Sequence, residues 1–177
     1  MKRAFLLVVV AALGLPGHLP AQTKQADSAR QAILGTWKLI SYVREELPSG
    51  ATSNVMGAHP SGYVNFGPDG RMIVVIAARD RKKPAGTVAT PDEAEALIAS
   101  MLAYSGTYTI DSATKKVSIL VDVSWEQSRV GTVQVRSYKF EGGHLLLTYG
   151  AIDRPGDGGE DCAHIGLGEV SGSGLNE

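Results

Sequence analysis

The chain has 177 residues, a formal charge of −1, 20% charged residues and a single cysteine, Cys162. That balance excludes a global positive field of the kind that draws a protein to nucleic acid or to anionic lipid. One cysteine excludes an intrachain disulfide, so stability has to come from packing.

The first 21 residues read as an export signal. Lys2 and Arg3 form the charged start, Phe5 to Leu15 the apolar stretch, and Leu19-Pro20-Ala21 a small-residue cleavage site before Gln22. The apolar stretch is too short to anchor a mature protein in a bilayer, and no cysteine near the cleavage point offers a lipid anchor. The expectation is an exported protein, periplasmic or secreted, without a stable membrane anchor. Cleavage would remove Lys2 and Arg3, taking the charge to −3, and would leave 156 residues, enough for one domain with a sizeable core. Residues 22–32 are then a polar lead and short helix, 33–150 the folded domain, and 151–177 a Gly/Asp-rich tail.

Asp27 to Leu34 has the apolar spacing of a short helix, with Ala29, Ala32 and Ile33 on one side. The run Gly35-Thr36-Trp37-Lys38-Leu39-Ile40-Ser41-Tyr42 opens the first strand, where alternation places Trp37, Leu39, Ser41 and Val43 on one face and Lys38, Tyr42 and Arg44 on the other. Pro48 to Pro60 lacks periodicity and reads as a long connection or a lid. Gly62 to Phe66 and Arg71 to Ile76 form a hairpin about Gly67-Pro68-Asp69-Gly70, whose Pro and Asp-Gly supply the backbone angles of a tight turn. The basic cluster Arg79-Asp80-Arg81-Lys82-Lys83 is short, contains an acid, and reads as a solvated loop. Thr90-Pro91-Asp92-Glu93 then carries the marks of a helix start, with the helix running from Ala94 to Leu102.

Further strands follow at Tyr104 to Ile110, Val117 to Trp125, Val130 to Phe140 and His144 to Tyr149, separated by polar turns. The absence of helix–strand alternation excludes a parallel sheet. From Ala151 onwards the composition is that of a flexible tail, and only Ala163 to Val170 offers a weak last strand.

The first strand, the Gly-Tyr-Val-Asn-Phe…Pro-Asp-Gly-Arg-Met hairpin, Tyr104-Ser105-Gly106-Thr107-Tyr108, and Val130-Gly131-Thr132-Val133-Gln134-Val135-Arg136 occur together and in this order. In that arrangement the chain resembles the bacterial and fungal lipocalin-like domain family, from about Ile33 to Tyr149. The resemblance implies an all-β fold: an antiparallel up-and-down calycin-type barrel with one short N-terminal helix and one helix inserted between strands. It brings a fold more than an activity. Two departures stand out. Members commonly end on a strand with a Trp-x-Arg-like pattern, whereas this chain has no Trp after Trp125, so its last strand is missing, divergent, or altered by a reading-frame change near Arg154. Members also tend to carry a His in the strand occupied here by Lys116 to Trp125, which has none, so chemistry resting on that His does not carry over.

A barrel of this kind is a container, and the expected function is to bind a small, largely apolar molecule in its cavity. Pairing Trp125 with Val130 puts Ile119, Val121, Val123 and Trp125 on one face with Thr132, Gln134, Arg136 and Tyr138. An inward Arg136 needs a partner, because an unpaired buried cation is costly. That partner is either a ligand carboxylate or carbonyl, or a structural acid or backbone carbonyl. Arg136 is the candidate anchor, with Gln134 and Tyr138 beside it and Tyr63, Phe66, Tyr104 and Tyr108 as candidate walls. Gly35 and Trp37 are placed at the barrel floor, with Arg136 as a candidate cation over the indole. No metal-ligand spacing, nucleophile elbow or phosphate loop appears, so no cofactor, metal or catalytic residue is assigned. Two other readings stand beside ligand binding: a cavity enzyme of isomerase or cyclase type acting on an apolar metabolite, and a filled barrel with a structural or interaction role.

Overall fold

The computed structural model describes residues 28–153 and 160–170. The export signal expected over residues 1–21 and the run Ser171–Gly174 lie outside the described residues, as does most of the acidic Gly-rich stretch after Asp153.

A short helix, α1 (residues 28–33), leads into nine strands and a second helix: β1 Gly35–Leu47, β2 Ala51–Asn54, β3 Ser61–Phe66, β4 Arg71–Ala77, α2 Pro91–Ala99, β5 Met101–Asp111, β6 Lys116–Ser124, β7 Val133–Glu141, β8 His144–Asp153 and β9 Glu160–Glu169. All pairs are antiparallel. β1 and β3 to β9 form a meander in which β9 returns to β1, closing an eight-stranded barrel. β2 is a short addition to the far half of β1, from Val43↔Asn54 to Glu46↔Ala51. The segment Pro48 to Pro60 is thus part hairpin rather than wholly irregular.

The closing strand comes from the segment whose composition reads as a tail. Its glycines have a steric reason: a side chain at Gly166 would meet the Ser41 hydroxyl, and one at Gly168 would meet Ile40. Both neighbours belong to a bulge in β1, where Leu39 faces Leu167 and Ser41 faces Gly166, leaving Ile40 as the extra residue. Because strand side chains alternate with period two, one extra residue exchanges the faces beyond it. Trp37 and Leu39 point into the barrel as expected, but beyond the bulge it is Tyr42, paired with Ile165, that turns inward. The assignment of Ser41 and Val43 to the Trp37 face is corrected accordingly.

A second bulge does the same in β6. Ser105 faces Val123 and Gly106 faces Val121, so Asp122 is extra. Val117, Ile119 and Val121 are buried, while Val123, expected to share their face, is 64% exposed. The β6–β7 hairpin also sits two residues away from the expected register: Ile119 faces Gln134 and Val117 faces Arg136. A two-residue slip preserves facing, which is why Gln134, Arg136 and Tyr138 still lie on the interior side.

α2 is shorter than expected, ending at Ala99 because Met101 already belongs to β5 and Leu102 is drawn into the core. Its start carries a complete capping box, with Glu93 N–H donating to Thr90 Oγ1 and Thr90 N–H donating to the Glu93 carboxylate. None of its residues is buried, so it lies against the barrel rather than in it.

At one end the barrel is sealed. Ile33 is fully buried, and the Trp37 indole Nε1 donates to the Ile33 carbonyl at 2.8 Å, fixing α1 across the opening. Phe66 and Tyr108 pack edge to face at 5.1 Å, and the Tyr108 hydroxyl donates to Gly67 O at 2.9 Å. Trp37 therefore forms the floor, with Phe140 as its aromatic neighbour at 6.1 Å.

The middle of the barrel is filled. Side chains from β3 to β6, β8 and β9, among them Met72, Val74, Ile76, Tyr104, Ile119, Leu147 and Ile165, leave only about 10 Å³, near the threshold for a single water. Eight strands give an interior just wide enough for side chains to fill. Among the described residues, no helix is long and apolar enough to cross a membrane.

Candidate functional site

The open end carries the site. β7 and β8 pair from Glu141↔His144 to Ser137↔Thr148 and no further, although β7 continues back to Val133 along β6 and β8 continues to Asp153 along β9. The two strands splay, and the split opens a cleft of about 600 Å³. Gln134 and Arg136 line its β7 side and Tyr149 and Gly150 its β8 side, with Tyr42 and Arg44 from β1 across it.

Arg136 lies at the base of the cleft and is only 4% exposed. Its guanidinium stacks on the Tyr149 ring at 3.3 Å from the centroid. One terminal nitrogen donates to Val135 O at 2.9 Å, satisfying a carbonyl next to where β8 has left β7, and the other donates to Gln134 Oε1 at 3.1 Å. Gln134 is itself held by donating to Thr132 Oγ1 at 2.8 Å, and Thr132 by donating to Arg129 O at 2.7 Å. Among the described residues, every bonded partner of Arg136 is neutral and no carboxylate pairs with it. The expected contact with Trp37 is not formed: the cation covers Tyr149 at the opposite end of the barrel.

Arg136 and Tyr149 border both the cleft and the small residual space beneath it. They act as a plug between a packed interior and an open mouth. Tyr42 stacks on Tyr149 with ring centroids 6.3 Å apart and planes 10° from parallel. Burial, reinforced by the neighbouring Tyr149, pushes the Tyr42 phenol above its ordinary value, and Arg136 and Arg129 pull it back only in part. Burial likewise pushes Tyr104, beneath the plug, up to about 12. These phenols stay protonated at neutral pH and offer hydroxyl donors. Arg129, on the β6–β7 loop at the rim, bonds Glu126 at 2.7 Å and lies 5.0 Å above the Trp125 ring.

The structure brings Arg136 and Gln134 together at the mouth and sets Tyr104 directly under them. The other candidates lie elsewhere. Tyr63 is 51% exposed on the outer face of β3 and forms no cavity wall. Phe66 and Tyr108 fill the sealed end with Gly35 and Trp37 nearby. Tyr138 is buried next to Phe140, at 6.3 Å, and Lys115, at 5.8 Å, away from the cleft lining, and its hydroxyl has no hydrogen-bond partner among the described residues. Tyr42 and Tyr149 were not singled out in the sequence. Tyr149 was within reach, since it continues the inward series Leu145, Leu147, Tyr149. Tyr42 was not, because the bulge at Ile40 gives no signal of its own.

Three histidines lie among the described residues, and no group of three or more His, Cys, Asp or Glu side chains there is close enough to hold a metal ion. His164 sits on the outer wall, 3.1 Å from the Glu45 carboxylate and 3.3 Å from the Thr148 hydroxyl.

No curated protein matches the chain. The sequence model described as "Lipocalin-like domain" matches residues 34–164, which runs from the foot of β1 into β9 and so takes in the strand that closes the barrel. With the closed eight-stranded meander, this places the chain in the lipocalin-like domain family.

Proposed function

We propose that the protein binds a small, largely apolar molecule at the split mouth of the barrel, with a polar head directed at Arg136. The observation that carries this is a nearly buried arginine, bonded among the described residues only to neutral groups, at the base of a cleft of about 600 Å³. Ligand sites of this size are common in soluble proteins and combine apolar walls with a few placed polar groups. The stacked Tyr42 and Tyr149 rings supply flat apolar surface, and Arg136 and Gln134 supply the polar end. The filled interior is the reason for placing the ligand at the mouth rather than along the barrel axis.

Native mass spectrometry of the protein purified from its own envelope, together with calorimetric titration of 2-naphthoate, tests the proposal. A co-purifying small molecule, or naphthoate binding that weakens at least tenfold in Arg136→Met, supports it. A bare chain mass together with no heat of binding, in a protein that is folded by circular dichroism, overturns it.

A further inference from the structure

The mouth cleft is rich in donors. An arginine side chain carries five N–H groups and no acceptor, and Arg136 uses two bonds on Val135 and Gln134, which leaves donors for an incoming group. The Gln134 carbonyl and the Val135 carbonyl, the acceptors nearest that cation, are already taken by it. At the rim, the Glu126 carboxylate is bonded to Arg129 and to Ser128 Oγ at 2.8 Å. The outer-wall carboxylate of Glu45 faces His164. Lys116 and Arg44 add further cations to the lining, and none of the described residues that form it is an acid. An entering neutral acid would therefore lose its proton to solvent and present its anion to Arg136, since a nearby cation favours the charged form of an acid.

We infer that the site takes weak organic acids, such as phenols, enols and carboxylic acids on an aromatic or alicyclic body, and binds them as their conjugate bases. This rests on the reading of the mouth cleft as a ligand site. The proton balance is simple: the free neutral acid gives its anion to the protein and one proton to the buffer. The geometry supplies the selectivity. Arg136 is held flat on Tyr149, so it does not turn to find a solvent-exposed head, and a ligand has to bring its anion down into the cleft beside the stacked rings. The raised Tyr42 phenol, which lines the cleft, keeps its proton over the working range and can only add a donor to the same anion.

The test uses 4-nitrophenol, whose neutral and ionised forms absorb at different wavelengths, with 4-nitroanisole as the neutral analogue that cannot ionise. Titrated with saturating full-length protein, 4-nitrophenol is expected to ionise about 1 to 3 pH units below its value in buffer, the range found for an acid set beside an arginine. Arg136→Met should abolish that displacement, and Lys139→Met, which removes a cation outside the cleft, should retain it. Binding of 4-nitrophenol with its titration unmoved or moved upward overturns the inference while leaving the mouth as a ligand site. Binding of neither compound, with the fold intact, overturns both.

Discussion

Replacing Arg136 by Met separates a structural arginine from one kept for a ligand, because the two roles predict opposite changes in stability. Where a buried cation is matched by a buried carboxylate, removing one partner strands the other and costs about 3–5 kcal/mol. Here Arg136 is 4% exposed and bonded to Val135 O and Gln134 Oε1, with an aromatic face beneath it. Its gains are two charge-assisted hydrogen bonds of about 1.5–3 kcal/mol each and a stacking contact of about 2 kcal/mol. Against these stands a desolvation penalty of several kcal/mol. Met fills similar length with no charge, and the two released acceptors border a cleft that water can enter. The expected result in urea denaturation is a change within about 1 kcal/mol of wild type, or a gain, given that apolar replacements of buried charges are often neutral or stabilising by about 1–4 kcal/mol. Naphthoate affinity should meanwhile fall by about 1.5–3 kcal/mol, roughly 10- to 150-fold. A loss of stability above about 3 kcal/mol would show that Arg136 serves an ion pair holding the barrel together, and the functional reading of the cleft would lose its anchor.

Leu147→Ala tests whether the interior is as full as the residual space of about 10 Å³ implies. Three buried carbons at about 0.8 kcal/mol each give about 2.4 kcal/mol, rising toward about 5 kcal/mol if the void persists, so a loss below about 1 kcal/mol by denaturant titration would contradict a packed core. Alkaline stability should fall because Tyr104 holds its proton to about 12 when folded but to about 10 when unfolded. Above pH 10 the unfolded chain releases that proton first, so stability is complete below pH 10 and declines by about 3 kcal/mol as pH rises through 12. Tyr104→Phe should flatten the decline, leaving the contributions of the same sign from Tyr42, Tyr108 and Tyr138, and an unchanged slope in urea titrations from pH 8 to 12 would refute the assignment. Gly106→Ala, at the β6 bulge, would drive a methyl into the Leu120 carbonyl, which is backbone and cannot turn aside. A loss of about 2 kcal/mol or more, or failure to fold, is expected, and a wild-type melting temperature would show that the bulge is more plastic than the pairing indicates.

The barrel was legible in the sequence wherever alternation ran unbroken, as in Val64 to Phe66, Met72 to Ile76, and Leu145 to Tyr149, and wherever turn chemistry was explicit, as at Pro68-Asp69-Gly70 and Thr90-Pro91. What escaped has one physical cause in two places. A β-bulge adds a residue without changing composition, so Tyr42 reads as outward and Val123 as inward until the pairing is known. The closing strand was legible only as a weak one, over Ala163 to Val170, for a related reason: Gly166 and Gly168 look like flexible linker until the β1 side chains above them are placed, and then they are the residues that let two strands approach. The site was half legible. Arg136 stood out because a cation on an apolar alternating face is unusual, whereas its aromatic partner could not be chosen without knowing that β7 pairs with β8 only from Ser137 onward.

That parting ties the fold to the proposed function. A fully paired eight-stranded barrel filled by its own side chains offers no opening for a ligand along its axis. Here the seal at one end is made with aromatic bulk and α1, and the middle with Met72, Tyr104, Ile119 and Leu147. In the barrel wall, space for a ligand arises where strand pairing is given up, and giving it up exposes backbone acceptors that need donors. Arg136 answers that need at Val135 and, in doing so, fixes its own guanidinium at the base of the split against Tyr149. The same side chain thus closes the interior, caps the strand edge and faces the cleft. Depth of binding is then set by the plug rather than by the strands. A smaller residue at Tyr149 would join the cleft to the barrel axis and admit a longer apolar body without any change in topology.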